Sequence, residues 1–222
     1  MEYVDINGDT FFIPSYLDEE SKEVLKQSLK YFPNPTESNK FYEVSKDISL
    51  WYQGDGVNDV PFFSIDNEGN PNIKYSKGLI LSNTCGIDPA NTRSNDTMVN
   101  FAKIINLNLF IEFMKTKGFD EDRIESIVKD LKANRINNFV FIPGFTRNNY
   151  VFPDSIVQLD KISSLPLGKF LDKYKFEYKT EENDNGDRLF SFSNYGFYLM
   201  VIKISIFFCR FSEKIDRFKT FN

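Results

Sequence analysis

VPFFSIDNEGNPNIKYSKGLILSNTCGIDP, residues 60–89, is the stretch on which the fold of this chain turns. Two runs rich in Phe, Ile, Tyr and Leu flank Asn67-Glu68-Gly69-Asn70, a cluster of turn formers, so the stretch reads as a β-hairpin. Gly78 to Leu81 is continuously apolar, as expected of a buried strand. Beyond Cys85 the polarity changes sharply. GIDPANTRSNDT, residues 86–97, is crowded with Asn, Asp, Thr and Pro and reads as a loop.

On the N-terminal side, EYVDINGDTFFIP predicts a second hairpin around Asn7-Gly8, the strongest short turn signal there is. Asp18 is placed to cap the helix EESKEVLKQSLKYF, with Val24, Leu25, Leu29 and Phe32 on one side and Pro33 and Pro35 to stop it. On the C-terminal side, VNFAKIINL reads as a strand. LNLFIEFMKTKG and DEDRIESIVKDLKANR read as two helices, with Gly118 closing the first. The second is acidic at its start and basic at its end, which suits the helix dipole. Residues 106–135 are therefore expected to form an α-hairpin inserted between strands. Strands resume with NNFVFIP and YVFPDSIVQLDKIS, and LPLGKFLDKYKFEY reads as a short helix before the acidic loop EENDNGD.

The last helix is expected to start at Ser193 and run to about residue 219. Met200, Val201, Ile204, Phe207, Phe208, Phe211, Ile215 and Phe218 recur at the helix period, which makes it amphipathic. Its segment 195–211 is heavily apolar, yet Lys203 interrupts it and Arg210 follows, so a core helix fits better than a membrane span. Lys203 either snorkels to the surface or points into a pocket, and snorkelling is the expectation. Arg210, Glu213, Lys214 and Arg217 supply helix-spaced ion pairs on the polar side. With no internal repeat, residues 1–222 read as one interleaved α+β domain.

The totals bound the chemistry. The chain has 222 residues, 41% of them apolar, and its 24 Phe support a substantial core. It contains no histidine, which removes Ser-His-Asp and Cys-His relays and every metal site built on imidazole. The net charge of −5 argues against a strongly basic nucleic-acid binder, although a local basic face can sit within an acidic total. MEYVDINGDT lacks a basic n-region, and Cys85 and Cys209 lie in dissimilar contexts. A reducing, cytoplasmic setting is the simplest reading. No metal or cofactor is expected, because no EF-hand spacing and no glycine-rich phosphate loop in a strand-then-helix setting are present.

The candidate site is the strand end GLILSNTCGIDP, where side chains are handed from a buried strand to a loop. Ser82, Asn83, Thr84, Cys85 and Asp88 can converge there on a ligand, with Arg93 as a cation for phosphate or carboxylate. Turn hydrogen bonds are the alternative for Asn83 and Thr84, and a small buried thiol is the alternative for Cys85. A thiolate at Cys85 would need Lys77, Arg93 or a helix N-terminus to lower its pKa. Arg147, Lys103, Lys169 and Lys173 are further candidates for a basic surface.

QGDGVND with VPFFSID, then KGLILSN, then SIVQLDKISSLPL resemble in order the motifs of the PemK/MazF family of plasmid-maintenance toxins. The resemblance covers about residues 47–167. It implies an SH3-like antiparallel β-barrel, to which the inserted α-hairpin, the hairpin and helix of residues 1–35 and a helical extension, 168–222, are additions that the small toxins lack. Enzymes of that family cleave single-stranded RNA with an Arg and a Thr and without His. Where the family's strand begins with Arg-Pro, this chain has Gly78-Leu79 preceded by Lys77, and the strand expected to end in Thr reads FAKIINL. Lysine supplies charge without the bidentate geometry of arginine. The first expectation is therefore a non-catalytic binding or interaction protein of a bacterial toxin–antitoxin or phage-defence type system. Its binding residues would be Lys77, Asn83, Thr84, Asp88 and Arg93, and it would work through a protein partner or self-association. The alternative is a metal-independent endoribonuclease acting on single-stranded RNA through Lys77, Thr84 and Arg93. Neither reading places the chain in a membrane.

Overall fold

A computed structural model of the chain describes residues 2–13, 15, 17–34, 41–43, 49–91, 97–183 and 185–208. Strands β1 (Glu2–Ile6) and β2 (Asp9–Ile13) form the N-terminal hairpin. Both central residues of its turn, Asn7 and Gly8, have positive φ (54° and 90°), the geometry that Asn-Gly favours. Helix α1 (Glu19–Leu29) begins where the Asp18 side chain accepts from the Ser21 backbone N–H at 2.7 Å. It buries Leu25 and Leu29, while Val24 points to solvent, narrowing the apolar side that the sequence predicted.

The centre of the molecule is a seven-stranded sheet in the order β3-β11-β4-β5-β6-β10-β7, antiparallel throughout. Its strands are β3 (Tyr42–Glu43), β4 (Gly56–Ile65), β5 (Pro71–Ile80), β6 (Met98–Asn106), β7 (Phe139–Ile142), β10 (Ser155–Pro166) and β11 (Arg188–Phe192). A small hairpin, β8 (Phe145–Arg147) with β9 (Tyr150–Phe152), lies between β7 and β10 in sequence. Helix α2 (Thr84–Ile87) follows β5. Helices α3 (Leu107–Thr116) and α4 (Glu121–Lys132) form the α-hairpin between β6 and β7 that the sequence predicts. Helix α5 (Leu167–Lys173) follows β10, and α6 (Asn194–Phe208) follows β11. Among the described residues no helix is long and apolar enough to cross a membrane.

The sheet separates three apolar clusters because neighbouring strand residues face opposite ways. Leu79, Ala102 and Ile104 join Leu25, Leu29, Phe190, Leu199 and Met200 under α1 and α6. Ile80, Val99 and Phe101 join Trp51, Phe170 and Tyr174 under α5. Leu107, Leu131, Phe141 and Ile156 seat the α-hairpin.

The sheet is curled but does not close into a barrel. A register shift between Gln158 and Ile162 bends β10 until Ser163 Oγ donates to the Pro61 carbonyl of β4 at 2.6 Å. No ladder joins β4 to β10, and β11 holds the edge of β4 at Gly56 and Val57. The strand order, which ends at β3 and β7 without joining them, corrects the expectation of closure, and RLFSF, which carries no strand in the sequence reading, supplies one of its strands. The α+β class itself stands.

Helix α6 corrects a second expectation. Tyr195, Gly196, Leu199, Met200 and Lys203 are buried, while Val201, Ile206 and Phe208 are exposed, so the charge lies inside and apolar groups lie outside. It is not amphipathic in the predicted sense. Lys203 does not snorkel. Its Nζ donates to the carbonyls of Asn134 (2.8 Å) and Ile136 (2.9 Å), just past the C-terminus of α4. Asn134 holds a left-handed φ of 53° and closes α4 through two backbone bonds, Asn134 N–H to Leu131 O and Arg135 N–H to Asp130 O. Its side chain accepts from the Phe141 N–H at 2.8 Å and donates to the Pro33 carbonyl at 3.2 Å. The expected continuation of α6 to about residue 219, with Cys209, Arg210, Glu213, Lys214 and Arg217, lies outside the described residues.

Burial lowers the Lys203 pKa to about 8. Between pH 8 and the ordinary lysine range the unfolded chain binds the extra proton, so stability from this group rises with pH across that window. Lys203→Met leaves two carbonyls without their donor and is expected to cost about 1–3 kcal/mol at neutral pH. Urea midpoints measured from pH 7 to 10 should rise in the parent relative to Lys203→Met. Parallel profiles would refute the assignment.

Candidate functional site

Segments 53–55 and 80–84 are bonded to one another. The Gln53 N–H donates to Thr84 Oγ1 at 3.0 Å, and Gln53 Nε2 donates to the Leu81 carbonyl at 2.8 Å. The Gly54 N–H bonds to the Ile80 carbonyl, and the Ile80 N–H to the Asp55 carbonyl, each at 2.9 Å. Gly54 makes this turn with a φ of 91° that a side chain rarely permits. The paired segments wall a cavity of about 480 Å³, together with Tyr52, Asp55, Ser191 and Asn194.

Asp55 lies at the inner wall of this cavity. Its carboxylate accepts from the Tyr52 N–H at 3.0 Å and from the Ser191 hydroxyl, and it sits 3.2 Å from Arg188 Nε. Ser191 Oγ is in turn 2.9 Å from the Tyr178 hydroxyl. Both ion-pair partners are almost wholly removed from solvent. Burial pushes the Asp55 pKa up to about 6, while Arg188, Ser191 and the Tyr52 amide pull it down. The Arg188 guanidinium packs 4.7 Å from the Trp51 ring and 5.3 Å from the Tyr178 ring, and it donates to the Leu50 carbonyl. Arg147 covers the Tyr178 ring at 4.0 Å and donates to the Leu189 carbonyl at 3.0 Å.

The predicted site residues do not assemble as one group. Thr84 reaches the cavity with its hydroxyl oxygen already accepting from Gln53. Asn83 caps α2, its Oδ1 accepting from the Cys85 N–H at 2.9 Å. Asp88 ends α2 and accepts from the Ala90 N–H at 2.8 Å. Ser82 Oγ accepts from the Asn100 N–H at 2.8 Å. Cys85 is exposed rather than a small buried thiol. Arg93 lies outside the described residues.

Lys77 lines a different groove, of about 700 Å³, with its Nζ 4.9 Å from the Phe152 ring. Lys103 lines that groove too, whereas Lys173 is engaged with Asp59 at 3.6 Å. Burial and neighbouring lysines push the pKa of Lys77 and of Lys103 down. Among the described residues no group of three or more Cys, Asp or Glu is placed to hold a metal.

Sequence reasoning missed Asp55, Ser191 and Arg188. The available signal was RLFSF, a short β-favouring run bounded by Gly186-Asp187 and Ser193-Asn194. Compared with known protein families, with curated proteins and with solved structures, the chain matches none.

Proposed function

We propose that this chain is a non-catalytic binding module of a bacterial toxin–antitoxin or phage-defence type system. The observation that carries the reading is that Thr84, Asn83, Asp88 and Asp55 each already serve a partner within the chain. Thr84 serves Gln53, Asn83 and Asp88 cap a short helix, and Asp55 is paired with Arg188. A group that serves the fold in this way is not thereby activated as a nucleophile or general base, which needs a partner to take or give its proton. The setting rests on the resemblance of QGDGVND, KGLILSN and SIVQLDKISSLPL to the toxin family.

The alternative, an endoribonuclease using Lys77, Thr84 and Arg93, requires these groups around one phosphodiester. Lys77 and Thr84 line separate cavities, which counts against it. The test is incubation of the purified protein with mixed single-stranded RNA in EDTA. Intact RNA is expected. Cleavage that disappears in Thr84→Val or Arg93→Ala would overturn the binding-module reading.

A further inference from the structure

Strand β6 turns Val99, Phe101, Lys103 and Ile105 to one face of the sheet, since side chains alternate along a strand. Val99 and Phe101 belong to the apolar cluster under α5, and Ile105 packs on the cluster that seats the α-hairpin. Lys103 stands where these two clusters part, in the groove of about 700 Å³ that α3 walls. Register sets Gly78 of β5 on one side of it, with no side chain to fill the space, and Gln158 of β10 on the other.

Among the described residues nothing balances the charge there. Burial pushes the Lys103 pKa down, and so do two further lysines, Lys74 and Lys161. Lys74 shares the face, an even number of positions from Gly78 on β5 and opposite the buried Phe62. Lys161 comes from the irregular turn of β10 between Gln158 and Ile162. None of the three ammonium groups has a described carboxylate or carbonyl against it, unlike Lys173 on Asp59 or Lys203 on its two carbonyls. Lys77 is not one of the set, because its Nζ lies on Phe152 in the cluster of the opposite face.

Like charges gathered without a counter-charge repel, and an anion among them reverses the sign. Three ammonium groups suit a multiply charged anion better than a single carboxylate, and lysine binds phosphate as a point charge. Gln158 adds an amide donor on the same face. The wall beyond is apolar, with Leu109 and Phe113 of α3 exposed and the Phe113 ring open to stacking. A groove of this volume, apolar on one side with a few convergent polar groups, suits a small ligand.

We infer that this groove binds a small phosphate ester of a flat organic group, its phosphates on Lys103, Lys74 and Lys161 and its ring against Leu109 and Phe113. The inference goes beyond the binding-module reading, which rests on the other cavity, so either can fail without the other. A nucleic-acid strand is disfavoured, because Asp59 stands in the groove wall and a chain of net charge −5 repels a long polyanion.

The experiment is isothermal titration calorimetry in EDTA with ATP, tripolyphosphate, adenosine and an oligouridylate. ATP is expected to bind in the micromolar range, more tightly than tripolyphosphate or adenosine, and to weaken as salt rises. Lys103→Gln should weaken ATP about tenfold or more, and so should Lys74→Gln/Lys161→Gln. Both residues of that pair are exposed, so the pair decides the matter should Lys103→Gln fail to fold. Leu109→Ser/Phe113→Ser should bring ATP down to the affinity of tripolyphosphate, and Lys129→Gln on α4 should change nothing. The inference is overturned if ATP fails to bind, if Lys74→Gln/Lys161→Gln binds it as the parent does, if adenosine or tripolyphosphate matches it, or if oligouridylate binds more tightly. RNA left intact in EDTA alongside any of these results removes the groove and leaves the module. RNA cleavage removes the module and leaves the groove to the calorimetry.

Discussion

Arg188→Ala is expected to lower the unfolding free energy by about 3–5 kcal/mol, because it strands the Asp55 carboxylate in a buried site. Three losses coincide. The ion pair at 3.2 Å disappears, the Leu50 carbonyl loses its donor, and the stack between Trp51 and Tyr178 becomes a gap. The charge penalty is separable from the packing loss by also replacing the acid. The double variant Arg188→Met/Asp55→Leu should unfold at higher urea than Arg188→Ala alone, since buried ion pairs replaced by apolar groups of similar volume are often near neutral. Urea denaturation followed by tryptophan fluorescence reads both, as Trp51 lies on the guanidinium. Equal midpoints for the single and the double variant would refute the buried-charge account.

Phe190→Ala is the second large effect, about 3–5 kcal/mol by the usual cost of emptying an aromatic core position. Phe190 is fully buried in β11, and its ring lies 5.1 Å from Tyr42, 5.2 Å from Phe152 and 5.2 Å from Phe192. Gly56 shows how closely the strand passes this ring, since a methyl group there would come within 2.5 Å of it. The loss therefore falls on the junction of β11, β4 and the β8–β9 hairpin rather than on one contact. Phe190→Leu fills part of the volume and should recover about half of the loss in thermal melts. A Phe190→Ala melt within a degree or two of the parent would show that the cluster adds little.

What the sequence disclosed and what it concealed divide along the reach of the interactions. Asn7-Gly8, Asp18, Gly118 and the α-hairpin of 106–135 were legible because each rests on bonds between near neighbours. Gly118 does close its helix with a left-handed φ of 80°. The place of β11 in the sheet was not legible, since it depends on RLFSF pairing with residues more than a hundred positions earlier. Lys203 misled for the same reason. Its acceptors at Asn134 and Ile136 lie far away in sequence, so local composition offered only the choice between solvent and pocket. At the site, of GLILSNTCGIDP only Thr84 lines the cavity. The carboxylate at its heart stayed hidden in QGDGVND, where Asp55 looks like any turn acid until Arg188 is brought beside it.

The lysine in α6 also bears on how the molecule is made. Synthesis proceeds from the N-terminus, so the α-hairpin leaves the ribosome well before the residue that binds its far end. Until Lys203 arrives, the carbonyls of Asn134 and Ile136 must be satisfied by water. Docking of the inserted helices is thereby tied to the synthesis of α6, and a growing chain cannot complete this corner ahead of that helix.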